Sequence, residues 1–139
     1  MFSPRSSTSA SAYRQVSVQT SVDHATPHNL VEMLFDGLLV AVGSARAALQ
    51  RGDIKSKCTQ IVIAVRILEE GLKSALNLEQ GGELAANLDR LYGYCVLRLT
   101  QANARNDDDA LAEVARLIEP QARSWKQIGE SADPKLRSA

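Results

Sequence analysis

The sequence is poor in the residues that most often carry chemistry. Its 139 residues hold two histidines, two cysteines and one tryptophan, and aromatics make up only 4%. Cys58 and Cys95 alone cannot form the disulfide framework that staples small secreted domains, which points to a reducing compartment. No stretch approaches the ~20 consecutive apolar residues that span a bilayer. The amino end, Met1-Phe2-Ser3-Pro4-Arg5, lacks the apolar run of a secretory signal. Net charge is missing too, with 16 basic residues against 16 acidic ones. That balance excludes a broad electrostatic grip on nucleic acid or anionic lipid, which depends on a strongly basic surface. The expectation is a soluble, cytosolic protein with no nucleic-acid partner and no membrane insertion.

What is present is aliphatic. Hydrophobic residues reach 45%, mostly Leu, Ala, Val and Ile, a composition suited to helix packing in a single domain. Residues 1–12 are serine-rich and without period, so a disordered tail is expected there. Residues 13–25 carry Tyr13, Val16, Val18 and Val22 among polar residues, where helical and extended readings compete.

Thr26-Pro27 is a helix start, with an N-cap threonine followed by a proline that has no N–H to leave unpaired. Helix one is predicted to reach Arg51, with an apolar stripe through Leu30, Met33, Leu34, Gly37, Leu38, Ala41, Ala45, Ala48 and Leu49. Val31, Phe35, Leu39 and Val42 widen it. Gly52-Asp53 supplies a C′ glycine and a new N-cap. Helix two then reads Cys58, Ile61, Val65, Leu68, Leu72 and Ala75 as its seam, ending near Leu78 ahead of Gly81-Gly82. Helix three starts near Glu83, runs through Leu84, Leu88, Leu91, Cys95, Leu99 and Ala102, and ends at Arg105-Asn106. Asp107-Asp108-Asp109 opens helix four, whose line is Leu111, Val114, Ile118, Gln121 or Ala122, Trp125 and Ile128. Pro120 predicts a kink near Glu119 or a break. Short connections force antiparallel neighbours, so the predicted fold is all-α, an up-down-up-down four-helix bundle over residues 26–131 with a tail at 132–139.

Chemistry is hard to find in such a bundle. A carboxylate-bridged di-iron centre needs inward Glu-x-x-His pairs, and the chain has none. His24 and His28 straddle Thr26-Pro27 rather than sharing one helical face, so neither a metal nor a cofactor is expected. A histidine phosphotransfer domain would need an exposed mid-helix histidine, and His28 in the first turn of helix one is the only candidate. Cys58 and Cys95 fall on apolar seams where a thiol acts as a small hydrophobe, so no catalytic residue is assigned. Excess apolar surface remains on helix one and, through Tyr92, Tyr94 and Val96, on helix three. Either each helix covers two neighbours, or some of this surface is open to an amphipathic partner helix or to a second copy of the chain.

Four stretches together resemble the flagellin secretion chaperone family, FliS. They are Thr26-Pro27-His28-Asn29-Leu30 running into Met33-Leu34-Phe35-Asp36-Gly37, then Arg51-Gly52-Asp53-Ile54, then Gly81-Gly82-Glu83-Leu84-Ala85-Ala86-Asn87-Leu88. The fourth runs from Leu91-Tyr92 through Arg98-Leu99 and Ala102-Asn103 to Asn106-Asp107, and Trp125 matches the family's late-helix tryptophan. The resemblance implies a cofactor-free, non-enzymatic cytosolic bundle. Such a protein binds the disordered C-terminal segment of flagellin, prevents premature polymerisation and assists delivery to the flagellar type III export gate. It would be a monomer or weak dimer when free. The same resemblance implies a lid segment at residues 13–25. It points to partner contact at Tyr13, Val16, Leu30, Met33, Leu34, Gly37, Tyr92, Tyr94, Arg98 and Asn103. The alternatives are a histidine phosphotransfer-like module and a self-associating helical adaptor.

Overall fold

The computed structural model describes residues 26–132, and the predicted tail and lid, residues 1–25, fall outside them, as do residues 133–139. Contacts divide the chain into Met1–Leu30 and Val31–Ala139. In the first unit, the Thr26 hydroxyl accepts from the Asn29 N–H at 3.1 Å and its carbonyl accepts from Leu30 N–H at 3.0 Å. This is the N-cap expected ahead of Pro27.

The second unit is an antiparallel four-helix bundle, with no strand among the described residues. Helix α1 spans Pro27–Gln50. Its inward face is Phe35, Leu38, Ala41, Val42, Ala45 and Ala48, where the alanines let neighbouring helices approach closely. Gly52, at φ +76, ends it in the left-handed conformation that glycine adopts without a Cβ penalty. Asp53 N–H returns to the Ala48 carbonyl at 2.8 Å, while its carboxylate accepts from the Ser56 N–H and hydroxyl to start the next helix.

Helix α2 covers residues 54–75 in three pieces: α-helical Ile54–Arg66, a π-helical run Ile67–Leu72, and α-helical Lys73–Ala75. The chain turns extended at Leu76, short of the expected end near Leu78. The seam also differs from expectation. Lys57, Ile61, Ala64, Leu68 and Leu72 are the buried residues, Cys58 and Val65 are half-buried, and Ala75 is exposed. The interior accepts Lys57 because Nζ donates to the Asn103 carbonyl and side-chain oxygens, both at 2.9 Å. That rotates the helix away from a purely apolar stripe. Close approaches fix α1 on α2: the Leu34 side chain lies over Gly71, where a Cβ would come within 2.9 Å of it, and Ile67 faces Gly37.

Helix α3 spans Leu78–Arg105, but Gly82 (φ 58, ψ −136) breaks its regular geometry, so the regular helix begins at Glu83 as predicted. Its interior residues are Ala85, Tyr92, Cys95, Leu99 and Ala102. Leu84, expected in the seam, is 69% exposed because it stands at the open end of the bundle. Asn106 at φ 52 closes the helix, with Asp107 N–H bonded to the Ala102 carbonyl. Helix α4, Asp108–Ala132, is capped by Asp107, whose Oδ1 accepts from the N–H groups of Asp109 and Ala110. It runs through Pro120 without a break. Pro120 and Arg116, whose carbonyl loses its N–H partner, are both exposed, so the proline lies on the solvent side of the helix rather than in the core.

One contiguous core joins all four helices, among them Leu38, Leu68, Leu99, Leu111, Val114 and Ile118. Each fully enclosed leucine or isoleucine contributes roughly 1.5–3 kcal/mol relative to exposure. Arg46 of α1 clasps the first turn of α4 through two hydrogen bonds to the Asp108 carboxylate, at 2.9 and 3.1 Å. This pairing holds the Asp108 carboxyl below the ordinary carboxylate range.

Candidate functional site

At the end of the bundle where α2 stops and α3 starts, the four helices leave an apolar cleft of about 210 Å³. Val31 and Phe35 of α1 form one wall, and Leu72, Ala75 and Leu76 at the end of α2 form the next. Leu84, Leu88 and Tyr92 of α3 face Gln121, Ser124, Trp125 and Ile128 of α4. The cleft follows from local sequence: α2 ends at the small Ala75 and α3 reaches regular geometry only after Gly82, which leaves this end of the bundle open. The floor is rigid, with Phe35 and Tyr92 edge to face at 6.5 Å between centroids. Burial pushes the Tyr92 hydroxyl up to about 12, with a smaller contribution from Cys95. The rim is apolar and open, since Leu84 and Ile128 are 69% and 57% exposed. Such a cleft is suited to receiving large apolar side chains from a partner helix.

A polar cluster lies farther along α3 and α4. The Tyr94 hydroxyl donates to Glu113 Oε2 at 2.7 Å, Arg98 Nε donates to Glu113 Oε1 at 2.6 Å, and Arg98 Nη1 donates to Gln101. The Tyr94 hydrogen bond, then that of Arg98, holds the Glu113 carboxyl below its ordinary value. The Arg98 guanidinium is correspondingly stabilised in its charged form.

The ten positions singled out from sequence scatter across these features. Tyr13 and Val16 lie outside the described residues. Leu30, in the first unit, and Met33 are half-buried. Leu34 and Gly37 sit at the α1–α2 approach, Tyr94 and Arg98 in the Glu113 cluster, and Asn103 under the Lys57 ammonium. Tyr92 is 2% exposed and forms part of the cleft floor. The remaining cleft residues, Trp125, Leu84, Leu88 and Ile128 among them, read as core seam because periodicity cannot tell a covered helix end from an open one. Lys57 is not legible as an interior residue from its side chain; its one signal is a position in phase with Ile61, Ala64 and Leu68.

Among the described residues, no three His, Cys, Asp or Glu side chains converge to hold a metal, and no helix is long and apolar enough to cross a membrane. The family described as flagellar protein FliS matches residues 9–132. The chain is 48% identical over 121 residues to the flagellar secretion chaperone FliS of Salmonella typhimurium, covering 87% of this chain and 90% of that protein. It is 43% identical over 116 residues to the flagellar secretion chaperone FliSB of Pseudomonas aeruginosa, covering 84% and 91%. It is also 36% identical over 113 residues to the Bacillus subtilis flagellar secretion chaperone FliS, covering 81% and 83%. A helical bundle matched along nearly its whole length to these relatives belongs to the FliS family of flagellar proteins.

Proposed function

We propose that this protein is a non-enzymatic, cofactor-free flagellar secretion chaperone that acts in the cytosol. It binds the disordered C-terminal segment of flagellin, covers its helix-forming apolar face, prevents premature polymerisation and assists export by the flagellar type III system. The observation that carries this reading is the open apolar cleft walled by all four helices in a chain of the FliS family. Flagellin's terminal segment must hide an apolar helical face until assembly, and a cleft between helices offers substitute packing. Ordering such a segment costs several kcal/mol, so capture calls for a long wrapped interface that extends beyond the cleft. Client contact is proposed in the cleft, on the floor that Tyr92 helps form, and further at Tyr13, Val16, Leu30, Met33, Tyr94 and Arg98, while Leu34, Gly37 and Asn103 hold the helices that carry the contact surface. Components of the flagellar export gate are the proposed second partners, and the free protein is a monomer or weak dimer.

The test is calorimetric titration of the full chain with the C-terminal segment of its own flagellin. Equimolar binding with a negative heat-capacity change is expected, the mark of apolar burial. Absence of heat at several temperatures, together with no complex on a sizing column, would sink the reading.

A further inference from the structure

Tyr92 carries a hydroxyl that its packing does not require. Its ring meets Phe35 edge to face at 6.5 Å, a contact that phenylalanine would make equally well. The residue is 2% exposed, and its hydroxyl has no hydrogen-bond partner among the described residues. Other polar groups that α2 and α3 carry are paired: the Lys57 ammonium with two Asn103 oxygens, and the Tyr94 hydroxyl, two residues on, with Glu113. A buried polar group without a partner calls for a reason.

The cleft supplies one. Tyr92 lines it, and the hydroxyl is not sealed off as a fully enclosed atom would be, so it opens on the cleft floor. Burial pushes its value up to about 12, which keeps it protonated and a hydrogen-bond donor throughout the neutral range. Gln121 and Ser124 stand on the α4 wall of the same cleft, and none of the described residues that line it is charged.

These groups limit what the floor accepts. A carboxylate or ammonium brought there would be buried without a countercharge. The backbone carbonyls of a helical client are already bonded within its own helix, and its serine or threonine hydroxyls can turn back to the carbonyl one turn earlier. The carboxamide of Asn or Gln is left. Its oxygen accepts from the Tyr92 hydroxyl, and its N–H groups can donate to Gln121 and Ser124.

We propose that Tyr92 is a specificity-determining residue of the cleft, selecting a client helix whose apolar face carries an Asn or Gln side chain to accept a hydrogen bond from its hydroxyl. The inference rests on the chaperone function proposed above and adds a polar requirement to it. A client helix with a purely aliphatic face leaves the hydroxyl covered and unpaired, and binds less tightly.

The unsubstituted chain and Tyr92→Phe are titrated with the flagellin C-terminal segment, and both are unfolded in urea without it. The variant is expected to bind about three- to tenfold more weakly, while its unfolding midpoint stays level or rises, because the group removed has no partner in the free bundle. Equal affinity overturns the inference. So does a lowered midpoint, which would mean that the hydroxyl works inside the bundle. Each Asn and Gln of the segment is then exchanged in turn for Leu. One exchange is expected to weaken binding to the unsubstituted chain and to matter little against Tyr92→Phe, the mark of a direct pair. If none behaves so, the carboxamide is not the partner and the inference falls. Failure of the unsubstituted chain to bind the segment at all would remove the chaperone function itself, and the inference with it.

Discussion

Lys57 of α2, 1% exposed, donates from its ammonium to both the backbone and the side-chain oxygen of Asn103 on α3, each at 2.9 Å. The backbone oxygen is free for this role because the αL residue Asn106 sends the Asp107 N–H back to Ala102 instead. One buried cation thus closes the end of α3 and pins it to the start of α2.

Replacing this ammonium by an isosteric apolar group is expected to destabilise the bundle. Lys57→Met leaves two buried oxygens without a donor, a loss of about 1–3 kcal/mol. Urea unfolding followed by helical circular dichroism would measure it, and parental stability in the variant would show that the contact contributes nothing.

The Tyr94–Glu113–Arg98 cluster predicts the direction of an acid limb. Glu113 has a folded value below its ordinary 4.5, so its contribution is fully present above 4.5 and fades as pH falls through the lower folded value. Unfolding measured across that window should show a shallower acid loss in Glu113→Gln than in the parent. Superimposable acid limbs would mean the cluster is not coupled to folding.

The two thiols should differ in reactivity. Cys95 is fully enclosed and its value is pushed up to about 11, first by burial and then by Glu113, whereas Cys58 is half-buried on α2. A thiol reagent at pH 8 is expected to modify Cys58 alone in the native protein and Cys95 only on unfolding. Equal rates for both would contradict the enclosed placement of Cys95.

The cleft rim can be altered without touching the core. Leu84 and Ile128 are 69% and 57% exposed, so Leu84→Glu and Ile128→Glu should change stability by no more than about 0.5 kcal/mol. Both should weaken binding of the flagellin segment strongly, because each places a carboxylate against an apolar face. Unchanged affinity in both variants would move the client site elsewhere on the bundle.

Pro120 offers a stabilising change. It occupies the interior of α4 on the exposed side, where proline is disfavoured relative to alanine by up to about 3 kcal/mol. Pro120→Ala is expected to gain about 1–3 kcal/mol, read as a raised Tm. A lowered Tm would mean that the unbroken helix depends on the proline ring.

Local signals carried most of the architecture. Thr26-Pro27, Gly52-Asp53, Gly82-Glu83 and Asp107 mark helix ends through backbone chemistry that needs no tertiary context, and each acts there in the structure. What the sequence hides depends on neighbours. The π run is invisible to periodicity because Leu68 and Leu72 are one turn apart in either geometry, and only Leu34 over Gly71 shows how the helix is seated. Lys57 reads as surface until Asn103 is placed above it. Trp125 and Leu88 read as core because a helix pattern does not tell where the neighbouring helix stops. Pro120 reads as a kink or a break; that the helix continues through it depends on its exposure, which is a property of the packed bundle.

The Arg46–Asp108 clasp joins residues 62 positions apart, on the first and last helices. During synthesis, α1 to α3 leave the ribosome before α4, and until α4 emerges they have neither the clasp nor Trp125 and Ile128 to complete the cleft. The cleft is therefore complete only once α4 has docked, and a chain cut before Asp108 would lack one of its walls.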